Sequence, residues 1–326
     1  MYYVARYLAV IGMLMLAGML MLATAAIASG ASAPALSHLE IAGSQLDVEF
    51  EPGTLQLPQS AILAWIHRSA CAVAGYYGRF PVRHYLVRIV PVADRRGVMS
   101  GTTFGYGGVR TRVLLGAETR QSDLDSDWVM THEMVHLAFP SVGREHHWIE
   151  EGIATYVEPI ARAAVGNYPR VQVWQDLVVG LPKGMPARGD EGLDRTHTWG
   201  RTYWGGALFC LMADLRIRTA TKNRFGLEDA LRGVVAAGGS IEVEWPLERV
   251  LTAGDRAVGV PVLTELHSNM RSQPVAPDLP AIWKSLGIDV QASPVGLSSS
   301  APDASIREAI LDVARRGDPS CPAPTP

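Results

Sequence analysis

Apolar residues recur at helical spacing between residues 60 and 77, where Ile62, Trp65, Ile66, Val73 and Tyr76 form one stripe, and a helix is predicted there. Residues 39–50 alternate weakly between apolar and polar and predict a strand before it. A second strand is predicted over 85–92, and a short one around Val113 to Leu115. Between these, residues 97–108 are rich in glycine, carry Phe104 and Tyr106, and read as a loop forming a mobile edge over a cleft. Asp123, Asp125 and Asp127 precede a helix predicted to start near Ser126, where acids cap and favourably charge an N-terminus. Phe139 to Arg144, with Pro140, Ser141 and Gly143, reads as a turn. The next helix is predicted over Trp148 to Glu158 from apolar positions 149, 153, 156 and 157. Thr202 can cap a further helix running to about Arg218, and the chain from Leu193 onward is mostly helical in pattern. The Pro-rich stretch 317–326 is expected to be a disordered tail.

One motif on this scaffold carries chemistry. His132, Glu133, Met134, Val135 and His136 form an H-E-x-x-H run. Positions i and i+4 share a helix face, so two imidazoles can grip one Zn²⁺ with the Glu beside a water at that metal. A catalytic zinc site usually has a third protein ligand. Glu145, His146, His147, Glu150, Glu151 and Glu158 follow within reach. The metzincin arrangement is excluded, because it needs Gly and His where Phe139 and Val142 stand. A carboxylate on the second helix is then the better third ligand. Glu150 and Glu151 point about 100° apart around a helix, so at most one faces the metal well.

The string Trp148-x-x-Glu151-Gly152-x-Ala154 after H-E-x-x-H resembles the gluzincin metallopeptidases. That resemblance implies Glu151 as the third zinc ligand and Glu133 as the general base for peptide hydrolysis. Glu158 matches an acidic position of aminopeptidase N-like members. It also implies an oxyanion partner in Tyr203, which precedes the small pair Gly205 and Gly206 at the start of a helix; these two glycines would leave open space beside its hydroxyl. His197, a few residues earlier, is a weaker candidate for the same task. Asp214-x-x-Ile217-Arg218 and the turn after it are similar to the glycyl aminopeptidase-like branch, here expected without a PDZ domain. The likeness covers about residues 95–270. In gluzincins a strand before the zinc helix pairs with the substrate backbone, and residues 109–115 are expected to do so here. The fold class implied is α+β and zincin-like, with two lobes. A mixed α/β lobe (about 38–122) and a mainly helical one (about 123–316) would meet at the H-E-x-x-H helix. Aminopeptidase N-like enzymes hold a substrate amino terminus with a G-x-M-E-N segment, which this sequence lacks, so exo- and endopeptidase readings both stand.

Composition adds an address and removes some partners. The chain is 48% hydrophobic and 19% charged with net charge −3, enough apolar content for a sizeable core and no basic run for nucleic acid. From Tyr7 to Ser37 no residue is charged, Arg6 supplies a positive flank, and Leu8 to Leu22 is strongly apolar. Residues 1–28 therefore read as an export signal, cleaved at an A-x-A site or retained as a membrane anchor. Cys71 and Cys321 are candidates for a disulfide in an exported protein, and Cys210 for a buried thiol. The expectation is an exported zinc metallopeptidase acting on peptides or proteins. Two rivals remain: a binding protein on the same fold without catalysis, and a zinc hydrolase of a non-peptide bond.

Overall fold

The structure is a computed structural model, and it describes residues 36–313 and Cys321. The expected leader or anchor (1–28) lies outside the described residues, as does the expected tail apart from Cys321. Among the described residues no helix is long and apolar enough to cross a membrane.

The chain opens with a hairpin of β1 (Leu36–Ile41) and β2 (Ser44–Phe50). The single strand predicted here is two, because Ala42 and Gly43 both take positive φ (48° and 78°) and make a tight turn with the twist of a hairpin. Helix α1 (Gln59–Tyr77) follows, ending at Gly78 in the left-handed region. Then come β3 (His84–Val92), β4 (Val98–Phe104) and β5 (Arg110–Gly116). The sheet order is β1-β2-β3-β5-β4, parallel at β2/β3 and β3/β5 and antiparallel at its two ends. Residues 97–108 are thus not a loop: most of them form β4, an edge strand.

The short helix α2 (Gln121–Asp125) leads to α3 (Val129–Val135), which carries the motif, and then to α4 (His147–Ala164). Trp148, Ile149, Ile153, Tyr156 and Val157 are all buried, and α4 packs against α1, α3 and α6, as expected of a helix apolar over most of its circumference. Further on lie α5 (Arg170–Gly180), α6 (Gly206–Ala220), α7 (Leu227–Ala236), α8 (Leu247–Val258), α9 (Val262–Met270) and α10 (Leu279–Leu286). A two-stranded ribbon, β6 (Ile288–Asp289) and β7 (Gly296–Leu297), precedes α11 (Ala304–Leu311). The architecture is mixed α/β, one five-stranded sheet with many helices.

Two features tie the helices together. Fully buried Arg218 on α6 donates to Asp214 and to Glu228 on α7, each at 2.7 Å, while Tyr156 of α4 donates to Asp214 at 2.9 Å. A charge buried this deeply is tolerable only when paired and hydrogen-bonded in this way. Cys71 on α1 is disulfide-bonded to Cys321, and Cys210 is a buried free thiol.

Candidate metal centre

The start of α3 is fixed by Asp127. Its carboxylate accepts the backbone N–H groups of Val129 and Met130 at 3.1 and 3.0 Å, and the Trp65 indole N–H at 3.1 Å. Of the three acids expected to cap this helix, Asp127 does so, Asp123 caps α2, and Asp125 pairs with Arg68. From this start His132 and His136 fall on one face, their rings edge to face at 5.0 Å. Glu151 on α4 comes to meet them. Its Oε2 is 3.2 Å from His132 Nε2 and 3.8 Å from His136 Nε2, and the three candidate ligand atoms all lie within 4.8 Å of one another.

This donor set fits Zn²⁺. Tetrahedral ligands at about 2.0–2.2 Å from zinc stand roughly 3.3–3.5 Å apart, close to the spacings seen here. The protonation states fit as well. Burial, reinforced by the neighbouring His132, pushes the His136 imidazole down to about 4, so it is neutral with a free lone pair. Burial alone would raise Glu151, but the His132 hydrogen bond and the neighbouring imidazoles outweigh it and hold the carboxylate below its usual range. Glu150 points elsewhere: it accepts from Val142 N at 3.1 Å and from His147 Nδ1 at 2.8 Å.

Glu133 faces the same cavity, about 590 Å³, whose walls include Gly101 and Thr103 of β4 as well as His132, His136, Glu151 and Tyr203. Thr103 donates to Glu133 Oε2 at 2.7 Å; Thr111 lies 2.7 Å from Thr103, and Tyr85 donates to Thr111 at 2.6 Å. Burial raises the Glu133 carboxyl above its ordinary value. Gly101 is required for this approach, since a Cβ there would meet Glu133 Cγ at 2.4 Å. The strand bordering the cavity is therefore β4. Residues 109–115, expected to pair with the substrate backbone, fall from Arg110 onward in β5 between β3 and β4, where both edges are already paired.

Tyr203 lies across the cavity in a wide π-helical turn (Arg201–Gly205) that leads into α6. Arg201 anchors the turn through Asp190 at 2.8 Å and the Gly184 carbonyl. The Tyr203 ring stacks on His132 with centroids 6.3 Å apart, and the Glu151 carboxylate acts electrostatically on its hydroxyl. Burial and the negative charge of Glu151 push that hydroxyl up to about 12. Thr202 does not cap this segment; the Thr198 hydroxyl accepts from Arg201 N at 3.3 Å. Nor do Gly205 and Gly206 open space beside the hydroxyl. A Cβ on Gly206 would meet the Trp148 carbonyl at 2.1 Å, so this glycine serves close packing of α6 on α4. His197 is exposed and does not line the cavity.

His146 and His147, candidates within reach in the sequence that were given no role, fall into two groups. His147 lines the cavity, with Nε2 3.4 Å from Glu151 Oε1. His146, Asp194 and His267 form a second cluster: Asp194 accepts from His146 Nδ1 at 2.9 Å, from Trp148 Nε1 at 2.8 Å and from His267 Nε2 at 3.2 Å. Its members come from three distant segments, so no local spacing announces it.

No family model matches the sequence, and no curated protein does. Solved structures do match the fold. An aminopeptidase N family protein of Idiomarina loihiensis is similar with a TM-score of 0.58 at 13% identity, over 82% of this chain and 53% of that one. A two-domain M1 zinc metallopeptidase mutant bound to L-arginine is similar with a TM-score of 0.50 at 16% identity, over 76% of this chain and 53% of that one. The chain thus spans about half the length of these structures. At such identities the likeness is one of fold.

Proposed function

We propose that the chain is an exported zinc metallopeptidase of gluzincin type, hydrolysing peptide bonds with Glu133 as general base. The observation that carries this reading is the convergence of His132, His136 and Glu151 in a cavity that also holds Glu133 and Tyr203. His132, His136 and Glu151 would hold the ion. A bound Zn²⁺ would supply Lewis acidity, acidifying a water and polarising a carbonyl.

The remaining steps belong to the chain's own side chains. Glu133, oriented by Thr103, accepts a proton from the attacking water and returns it to the leaving amine. Burial raises the affinity of Glu133 for that proton, which suits a base that must later act as an acid. Tyr203, protonated at neutral pH, donates a hydrogen bond to the oxygen that becomes negative. The free edge of β4 offers backbone groups for pairing with an extended substrate. The sheet and the helices after α3 act as two lobes, with α3 between them. The Tyr203 turn and the Asp214 to Arg218 segment favour the glycyl aminopeptidase-like branch.

Export is supported by the charge-free stretch from Tyr7 to Ser37 and by the Cys71–Cys321 disulfide, a bond that persists in oxidising compartments. Attachment through residues 1–28 is the membrane-bound variant of the same proposal. Intact Glu133 and Tyr203 weigh against a catalytically silent binding protein. The test is metal analysis with peptide cleavage on wild type and Glu133→Gln. About one zinc per chain is expected in both, with cleavage in wild type alone. A zinc-loaded wild type inert on diverse peptides would sink the proposal.

A further inference from the structure

A second cavity, about 490 Å³, adjoins the metal centre and shares Trp128, His132 and Tyr203 with it. Trp128 stands edge-on to His132 at 5.4 Å, and Trp199 stacks on Tyr203 at 5.8 Å. Around the mouth, Trp128, Trp199 and Val179 are 53%, 62% and 55% exposed. Large apolar surface left in water next to a reaction centre is surface that a ligand can cover favourably, at about 25 cal/mol per Å².

The buried charges of the deeper wall are already paired, and only the exposed Lys183 has no carboxylate partner among the described residues. Glu158 and Arg162 are buried and paired at 2.7 Å, and the Arg162 guanidinium lies 4.4 Å over the Tyr168 ring. Asp176 accepts from the Tyr168 hydroxyl at 2.6 Å and from Gln172 at 2.8 Å. Lys183 lies 5.5 Å over the Trp204 ring. A basic side chain entering here would lose water without gaining an unpaired counter-charge, and an acidic one would meet only the solvent-exposed Lys183 ammonium, a pairing worth little. A methyl group would leave most of the volume unfilled. A flat aromatic or branched aliphatic group occupies far more of it and covers the exposed rings.

We infer that this cavity receives a bulky apolar or aromatic side chain of the substrate, on a residue flanking the bond that is cut. The inference rests on the peptidase reading, because the shared walls of Trp128, His132 and Tyr203 set the distance between side chain and scissile bond.

The test uses the zinc-loaded full chain and peptides of one parent sequence, with Trp, Phe, Leu, Ala, Lys or Asp at each position flanking the cleavage point. For one flanking position, kcat/KM for Trp, Phe or Leu is expected to exceed that for Ala, Lys or Asp by roughly tenfold or more. The ratio should fall several-fold in Trp199→Ala and in Val179→Asp, whose exposed positions spare the fold. Calorimetric binding of the same peptides to zinc-loaded Glu133→Gln should give the same ranking without turnover. Cleavage that favours small or charged side chains, or ratios unchanged in both variants, overturns the pocket and leaves the peptidase standing. Ranked binding with no cleavage by wild type sinks the peptidase and keeps an apolar side-chain site. Neither binding nor cleavage sinks both.

Discussion

The Thr103 hydroxyl donates to Glu133 Oε2 at 2.7 Å, and behind it Thr111 and Tyr85 continue the chain at 2.7 and 2.6 Å. With Tyr85 donating to Thr111 and Thr103 donating to Glu133, consistent donation along the row runs toward the carboxylate, and each bond polarises the next. A hydrogen bond to a charged group contributes about 1.5–3 kcal/mol. Thr103→Val keeps the shape and removes the donor. Its kcat is expected to fall roughly 10- to 100-fold, with zinc content unchanged. Unaltered kcat in the zinc-loaded variant would remove Thr103 from the mechanism.

Gly101 tests the same carboxylate from the strand side. A Cβ at this position would stand 2.4 Å from Glu133 Cγ and 3.0 Å from Val129 Cγ1. The Glu133 side chain can swing aside at little cost to folding, but only by leaving Thr103. Gly101→Ala is therefore expected to keep its thermal midpoint within a few degrees while losing most peptidase activity. A fully active Gly101→Ala would mean that Glu133 works from another rotamer.

Adjacent glutamates on α4 have opposite expected phenotypes. Glu151 meets both histidines, whereas Glu150 accepts from Val142 N and His147 Nδ1. Glu151→Ala should lose zinc on dialysis. Glu150→Ala should retain it and lose about 1 kcal/mol of stability through the freed turn at Val142. Metal content by mass spectrometry decides between the two, and the reverse pattern would refute the ligand assignment.

What the sequence made legible was local. His132, Glu133 and His136 lie within one helical turn and a half, so spacing brought them forward, whereas Glu151 on α4 was separated from its neighbour Glu150 only by the family resemblance. Long apolar stripes gave α1 and β3 nearly to their ends. Tertiary reasons for glycine were not legible. Gly101 and Gly105 read as loop residues, yet Gly101 lies in β4 and admits Glu133, and Gly105 just after it admits the Ile241 carbonyl. The β1–β2 turn was hidden because Ala42 takes a conformation usually left to glycine or asparagine. Asp194 was silent for another reason: its partners His146 and His267 lie 48 and 73 residues away.

Tyr203 is carried into the metal cavity by its π-helical turn, with Arg201 fixed to Asp190 and Gly184. Burial and the Glu151 charge push its hydroxyl up to about 12, so it remains a donor across the working range. Tyr203→Phe is expected to lower kcat by roughly 10²–10³ with little change in KM, the signature of a contact made to the transition state. Steady-state kinetics checks this. A rise in KM at constant kcat would assign Tyr203 to substrate binding instead.

Asp194 links pH to the loop that leads into Tyr203. Burial alone would raise its carboxyl, but hydrogen bonds from His267, Trp148 and His146 outweigh it and hold the group at about 2, against 3.8 in a free chain. A carboxyl depressed on folding contributes stability that is complete above its unfolded value and is lost as pH falls through the folded one. Asp194→Asn should therefore melt below wild type at neutral pH. The gap should stay constant down to about pH 4 and close between about 4 and about 2. Melting temperatures of both proteins across that range measure it. A gap that persists unchanged at the acid end would show that the aspartate stabilises by shape and hydrogen bonding alone, without its charge.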